Sequence, residues 1–200
     1  MSGICIVLLA AGNASRYGGE KLLEPFDGQS LIRGLATAAL ETGHRVLVVT
    51  GAYAERMAAE LAGLDVTLTH HADWNDGMGT SIAAAFRHLL AEAEPSDAAL
   101  VCPADLPLVR TAQLQRLIDA HRREPACIAV SAWETTQGAP CLFPRAYFDE
   151  LARLDGPHGA RALLTRHAAA LVRVPMPEAA ADIDTTEDYV RLTALNRSPR

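Results

Sequence analysis

At 200 residues, half of them apolar and about a fifth charged, the chain has the size and balance of one globular domain. Its net charge of −6, with no basic cluster longer than Arg122–Arg123, argues against a nucleic-acid partner, because neutralising phosphates takes a basic face. No stretch approaches the roughly 20 apolar residues of a membrane span, no basic region precedes the apolar run at residues 4–11, and Cys5, Cys102, Cys127 and Cys141 form no CxxC pair. The expectation is therefore buried thiols in a cytoplasmic protein that meets no membrane.

Strand-like apolar runs alternate with helical patterns along most of the chain. Ile4–Leu9 reads as a buried strand and opens into Gly12–Lys21, a loop with three glycines, a hydroxyl and two cations. Glycine lets backbone N–H groups approach phosphate oxygens, while Arg16 offers a planar fork and Lys21 a compact point charge. The loop is not a P-loop, since the fifth residue after Gly12 is Tyr17 and Leu22 follows Lys21. Nor is it a dinucleotide fingerprint, since Asn13 and Ala14 follow Gly12, and on that ground a dinucleotide-dependent oxidoreductase is set aside.

A helix is expected over Ser30–Thr42, a strand over Arg45–Thr50, a helix over Tyr53–Gly63 and a strand over Asp65–Thr69, the strands read as buried on both faces. His70 and His71 follow that third strand. No third ligand completes a metal site with them, so they are assigned structural or substrate-contact roles. Gly77 and Gly79 then stand before a helix expected over Thr80–Glu92. The unpaired N–H groups there, beside Thr80 and Ser81, suit a flat or anionic ligand.

Ala98–Cys102 is the fourth strand and runs into Pro103-Ala104-Asp105-Leu106-Pro107. A carboxylate between prolines at a strand end has a stiff, directed backbone. Mg²⁺ binds through one or two carboxylates plus phosphate oxygens and water, which makes Asp105 a candidate ligand. A helix over Thr111–Arg123, with Thr111 as its N-cap, and a strand over Ala126–Val130 come next. Gly138–Pro140 is expected to break the chain before Cys141–Phe143, and Pro144 to start a helix through Leu154. A turn cluster at Asp155–Gly159, a helix over Ala160–His167, a strand over Leu171–Val174 and a helix over Thr185–Leu195 complete the order. Asp182 and Asp184 supply further carboxylates, and Asp184 is read either as a metal ligand or as the cap of the last helix. Residues 1–196 are expected to form one domain and 197–200 a frayed tail.

Strand–helix alternation predicts an α/β chain: a three-layer α/β/α sandwich around a mostly parallel, Rossmann-like sheet, with ligands beyond the carboxyl ends of its strands. The unusual segments Gly12–Lys21, His70–Ser81 and Pro103–Pro107 all follow strand ends.

Together these segments resemble the MobA-like nucleotidyltransferase family, and more narrowly its molybdenum cofactor cytidylyltransferase branch. Leu9-Ala10-Ala11-Gly12 through Ser15-Arg16, Gly18 and Lys21-Leu22-Leu23 resemble its nucleotide loop, and Gly77-Met78-Gly79-Thr80-Ser81-Ile82 its second glycine segment. Asp105-Leu106-Pro107 stands where the family has a metal-binding aspartate. Gly156 to Arg161 and Asp182-Ile183-Asp184-Thr185 match two later motifs. The chain departs from the pattern at Leu106, where the branch has glutamine, and at Pro157-His158, where it often has aspartate.

The resemblance implies transfer of a nucleoside monophosphate from an NTP to a phosphorylated acceptor, with Mg²⁺ and release of pyrophosphate. Ala11, where guanylyl-transferring relatives carry glycine, favours CTP over GTP, and the branch implies molybdopterin or molybdenum cofactor as acceptor. It implies Lys21, Arg16 and Asp105 as catalytic residues and Asp105 with Asp184 as metal ligands. It places Leu9, Ala10, Ala11, Gly12, Ser15, Gly18, Lys21, Gly77, Gly79, Thr80 and Ser81 on the nucleotide, with Ala10, Gly12 and Gly79 against the nucleoside. The alternatives are a transferase for a sugar, polyol or choline phosphate, or a non-catalytic nucleotide-binding accessory that serves a molybdoenzyme partner.

Overall fold

A computed structural model describes residues 3–197, so residues 198–200 of the expected tail lie outside the described residues. The first strand, β1 (Ile4–Ala10), is buried almost throughout, as its unbroken apolar run requires. After the glycine loop, a short hairpin of β2 (Pro25–Phe26) and β3 (Gln29–Ser30) leads into α1 (Leu31–Leu40). Ser30 caps that helix, its Oγ accepting from the Arg33 N–H at 3.2 Å. Then follow β4 (Arg45–Thr50), α2 (Ala54–Glu60), β5 (Thr67–His70), α3 (Met78–Ala91), β6 (Ala98–Pro103) and α4 (Thr111–Arg123). The chain continues through β7 (Ile128–Trp133), β8 (Thr136–Pro144), α5 (Phe148–Leu151), α6 (Arg161–Arg166), β9 (Leu171–Pro175) and α7 (Thr186–Arg197).

The main sheet has seven strands in the order β5-β4-β1-β6-β8-β7-β9. β8 alone runs against its neighbours; the β5–β4, β4–β1, β1–β6 and β7–β9 pairs are all parallel. Apolar side chains alternate between the two faces. Ile4, Ile6, Leu8 and Ala10 of β1 pack with residues of α1, α2 and α4, whereas Cys5 and Val7 pack with α3, α5 and α6. Helix α4 shows why: Leu114, Leu117 and Ile118 lie on one stripe and are fully buried. The result is the expected three-layer α/β/α arrangement around a mostly parallel sheet.

Four local expectations are corrected. The strand expected at residues 65–69 is the edge strand β5, exposed along most of its length, because no strand among the described residues pairs with its outer side. Gly138–Pro140 does not break the chain; it lies inside β8, where a register irregularity opposite Val130/Ser131 accommodates a proline without a ladder donor. The helix expected from Pro144 to Leu154 is a single 3₁₀ turn, Arg145–Tyr147, followed by the four-residue α5. Thr111 is the first residue of α4 and not its cap; its hydroxyl instead donates to Glu41 Oε2 at 2.6 Å.

The buried thiols are bystanders. Burial pushes Cys5 and Cys141 up to about 12. Burial first and the Asp105 carboxylate second raise Cys102 well above its ordinary value.

Candidate active site

The strand order of the parallel half, β5-β4-β1-β6, reverses between β1 and β6, and a crevice opens beyond the carboxyl ends of strands at such a reversal. A cavity of about 360 Å³ lies there, between the loop after β1, the loop after β6 and the N-terminal end of α3. Of the residues expected to hold nucleotide, it is lined by Leu9, Ala10, Ala11, Gly12, Ser15, Lys21, Gly77 and Ser81. Arg16, Asp105 and Asp184 line it as well. Gly12 leaves room for a ligand, since a Cβ built there meets nothing within 4 Å.

One cation organises the mouth. Lys21 Nζ donates to Asp105 Oδ2 at 2.8 Å and to the Ile183 carbonyl at 2.6 Å, and stands 3.6 Å from Asp184 Oδ1. Arg16 reaches the other oxygen of Asp184 at 2.9 Å from an exposed position. The Ile183 N–H donates in turn to the Asp105 carbonyl at 3.0 Å, so the β6 loop and the segment before α7 are stitched together around the lysine. Beneath them Phe26, Leu31, Ile183 and Leu192 form a small separate core, and Tyr189 OH donates to the Pro25 carbonyl at 2.6 Å. The last helix therefore carries a wall of the site.

The two readings of Asp184 separate cleanly. Thr185 and Asp188 exchange hydrogen bonds at the start of α7, the Asp188 N–H to Thr185 Oγ1 at 3.2 Å and the Thr185 N–H to Asp188 Oδ2 at 3.1 Å. Asp184's carboxylate takes no part in that cap and faces Lys21 and Arg16. Asp182 is not among the lining residues; burial, and then the neighbouring Asp184 carboxylate, raise its carboxyl above the ordinary range. Two hard oxygen donors thus converge on the point held by the Lys21 ammonium, a set that fits Mg²⁺. No group of three His, Cys, Asp or Glu side chains gathers for a metal among the described residues, so the remaining ligands would have to be substrate oxygens and water.

A family model for the MobA-like NTP transferase domain matches residues 6–171. The chain belongs to that family. A curated relative, nicotine blue oxidoreductase of Paenarthrobacter nicotinovorans, is 30% identical over 93% of this chain and 94% of its own length. The bifunctional protein GlmU of Burkholderia multivorans is 37% identical over 58% of this chain, which spans only 25% of that protein. Among solved structures, Rv0371c of Mycobacterium tuberculosis H37Rv superposes with a TM-score of 0.80 at 26% identity, covering 96% of this chain and 98% of the other.

Within this MobA-like domain, three expected nucleotide contacts do not line the cavity: Gly18, Gly79 and Thr80. Gly79 is buried against another stretch of backbone instead. Its N–H donates to the Gly156 carbonyl at 2.9 Å, and a Cβ there would collide with the Asp155 carbonyl. Thr80 is occupied by His71, whose Nε2 stands 2.9 Å from its hydroxyl. Sequence reasoning also missed lining residues, chiefly Trp74, Asn75 and Met78. A lone aromatic inside a polar, glycine-rich loop was the available signal for Trp74. His70 is exposed at the end of β5 and does not line the cavity. No helix among the described residues is long and apolar enough to cross a membrane.

Proposed function

We propose that this MobA-like protein transfers a nucleoside monophosphate, with CTP the favoured donor, to a phosphorylated acceptor of the molybdopterin or molybdenum cofactor type. The observation that carries the reading is Lys21, a cation held between two carboxylates at the mouth of a cavity floored by the β1 loop. Ala11 supports CTP through the family resemblance: it is buried, and its carbonyl accepts the Ala52 N–H at 3.0 Å, so its methyl group is fixed in the floor.

The acceptor's phosphate oxygen forms a bond to the α-phosphorus while the bond to the bridging oxygen of the leaving pyrophosphate breaks. A phosphate monoester is already anionic near neutral pH, so no side chain need remove a proton. The chain's contribution is positioning and charge neutralisation. The residues of the β1 loop hold the triphosphate, Lys21 neutralises charge on the transferring group, and Arg16 swings from Asp184 to the departing pyrophosphate. Mg²⁺, held by Asp105 and Asp184, would supply further neutralisation of the triphosphate when bound.

The test is pyrophosphate release with CTP, GTP, ATP and UTP, each with Mg²⁺ and with or without molybdopterin or its molybdenum form. Acceptor-dependent release with CTP is expected. Release only with sugar, polyol or choline phosphates would move the acceptor, and binding without release would leave the accessory reading.

A second reading rests on the full-length likeness to nicotine blue oxidoreductase. It calls for an assay of redox turnover with nicotine blue as the substrate. Such turnover, with no pyrophosphate released by any NTP, would replace the transferase reading.

A further inference from the structure

We propose that His71 is a positioning residue that holds, through Thr80, the loop bringing Trp74 and Asn75 into the cavity. The argument begins with protons. Thr80 Oγ1 lies 2.8 Å from the Gly77 carbonyl and 3.5 Å from the Asp73 carbonyl, both of which only accept. Its single proton goes to the nearer of these, the Gly77 carbonyl, and the 2.9 Å contact with His71 then runs the other way, with Nε2–H donating to the hydroxyl. His71 is itself anchored: it is 7% exposed, and its main-chain N–H donates to the Thr50 carbonyl at the end of β4 at 2.8 Å. The relay thus ties the Gly77 end of the turn to the sheet, while Asp73 at the other end stands two residues after the anchored His71.

What the turn carries is the cavity wall. Trp74 and Asn75 lie at its centre and line the cavity. Trp74 sits so close to the backbone of Gly51 that a Cβ there would come within 2.7 Å of Trp74 Cβ. That approach fixes the root of the indole beside the end of β4, and a turn released from His71 would lose it. The inference rests on the nucleotide reading only in naming the ligand that Trp74 and Asn75 meet.

The test uses the chain's two tryptophans, Trp74 and Trp133. In a Trp133→Phe background Trp74 is the sole reporter. His71→Leu should shift its emission to the red and increase acrylamide quenching in the ligand-free protein. It should also weaken CTP binding by about tenfold, the worth of about 1.4 kcal/mol, with kcat changed less than KM. His71→Gln, which can donate from a similar place, should restore much of both signals. Thr80→Val should reproduce the His71→Leu effect, and the double variant should be no worse than either single one, since both break one chain. Thr80→Val carries the test should His71→Leu fail to fold. Trp74 emission, quenching and CTP affinity that stay at the parental values in both variants would overturn the proposal. A Trp74 response in a protein that binds no nucleotide would uphold it while removing the nucleotide reading.

Discussion

Lys21 matters most at the residue scale because its ammonium answers two carboxylates and a carbonyl from parts of the chain far apart in sequence. A cation that neutralises charge arising in the transition state is worth several kcal/mol, so Lys21→Ala should lower kcat by about 10²-fold or more with KM little changed. Steady-state kinetics check this, and a rise in KM alone would reduce Lys21 to ground-state binding. Gly79 illustrates the opposite case. It sits in a glycine segment that reads as a nucleotide contact, yet the chain packs residues 155–156 onto it. Gly79→Ala should therefore cost about 1–3 kcal/mol by overpacking, read as a lower urea midpoint with an unchanged slope. Lys21, Arg16 and Asp105 were legible because charged residues in the loops that follow buried strands have few other reasons to be there. The partner of Gly79 was not, because a glycine announces a close approach without saying what approaches.

At the scale of elements, α7 and α4 respond differently to acid. Hydrogen bonds from Arg191 and then Thr185 hold Asp188 down at about 2. A depressed carboxyl contributes stability above its ordinary value, and that contribution drains away as pH falls towards 2. The cap of α7 thus persists through mild acid, and Thr185→Ala should loosen the helix by about 1 kcal/mol at neutral pH. His121 on α4 behaves otherwise. It is buried, and burial lowers its pKa from the ordinary 6.5, against a smaller opposing pull from Asp97. Its neutral form belongs to the folded state, so its contribution is present above about 6.5 and is lost as pH falls below it. Tm measured from pH 7.5 to 5 should fall less steeply in His121→Leu than in the parent. Long elements such as α1, α4 and β4 were legible from periodicity. The hairpin of β2 and β3 has too few residues to show any, and the proline in β8 masked a strand whose partners alone make it one.

Across the whole molecule, the site is a seam between segments that meet only in the folded chain: the β1 loop, the β6 loop, the start of α3 and the stretch before α7. A ligand bound across that seam stabilises the native state by mass action, by about 2.7 kcal/mol at a hundred times its Kd. Thermal shifts should rise with CTP and rise again when Mg²⁺ is added. Asp184→Asn should abolish the second increment and keep the first. Loss of the first increment as well would mean that Asp184 serves nucleotide binding and not the metal.

Taken alone, the sequence determined the layered α/β class and set the glycine loop and Asp105 after the ends of buried strands, because these follow from local pattern and chemical type. The tertiary structure decided which of two late aspartates faces the lysine, that Thr185 caps the helix in place of Asp184, that Gly79 lies against backbone and that His71 reaches Thr80. Each of those is a choice of partner. A residue's chemistry states what it can bind, and only the packing of distant segments brings one partner within reach and carries the others away.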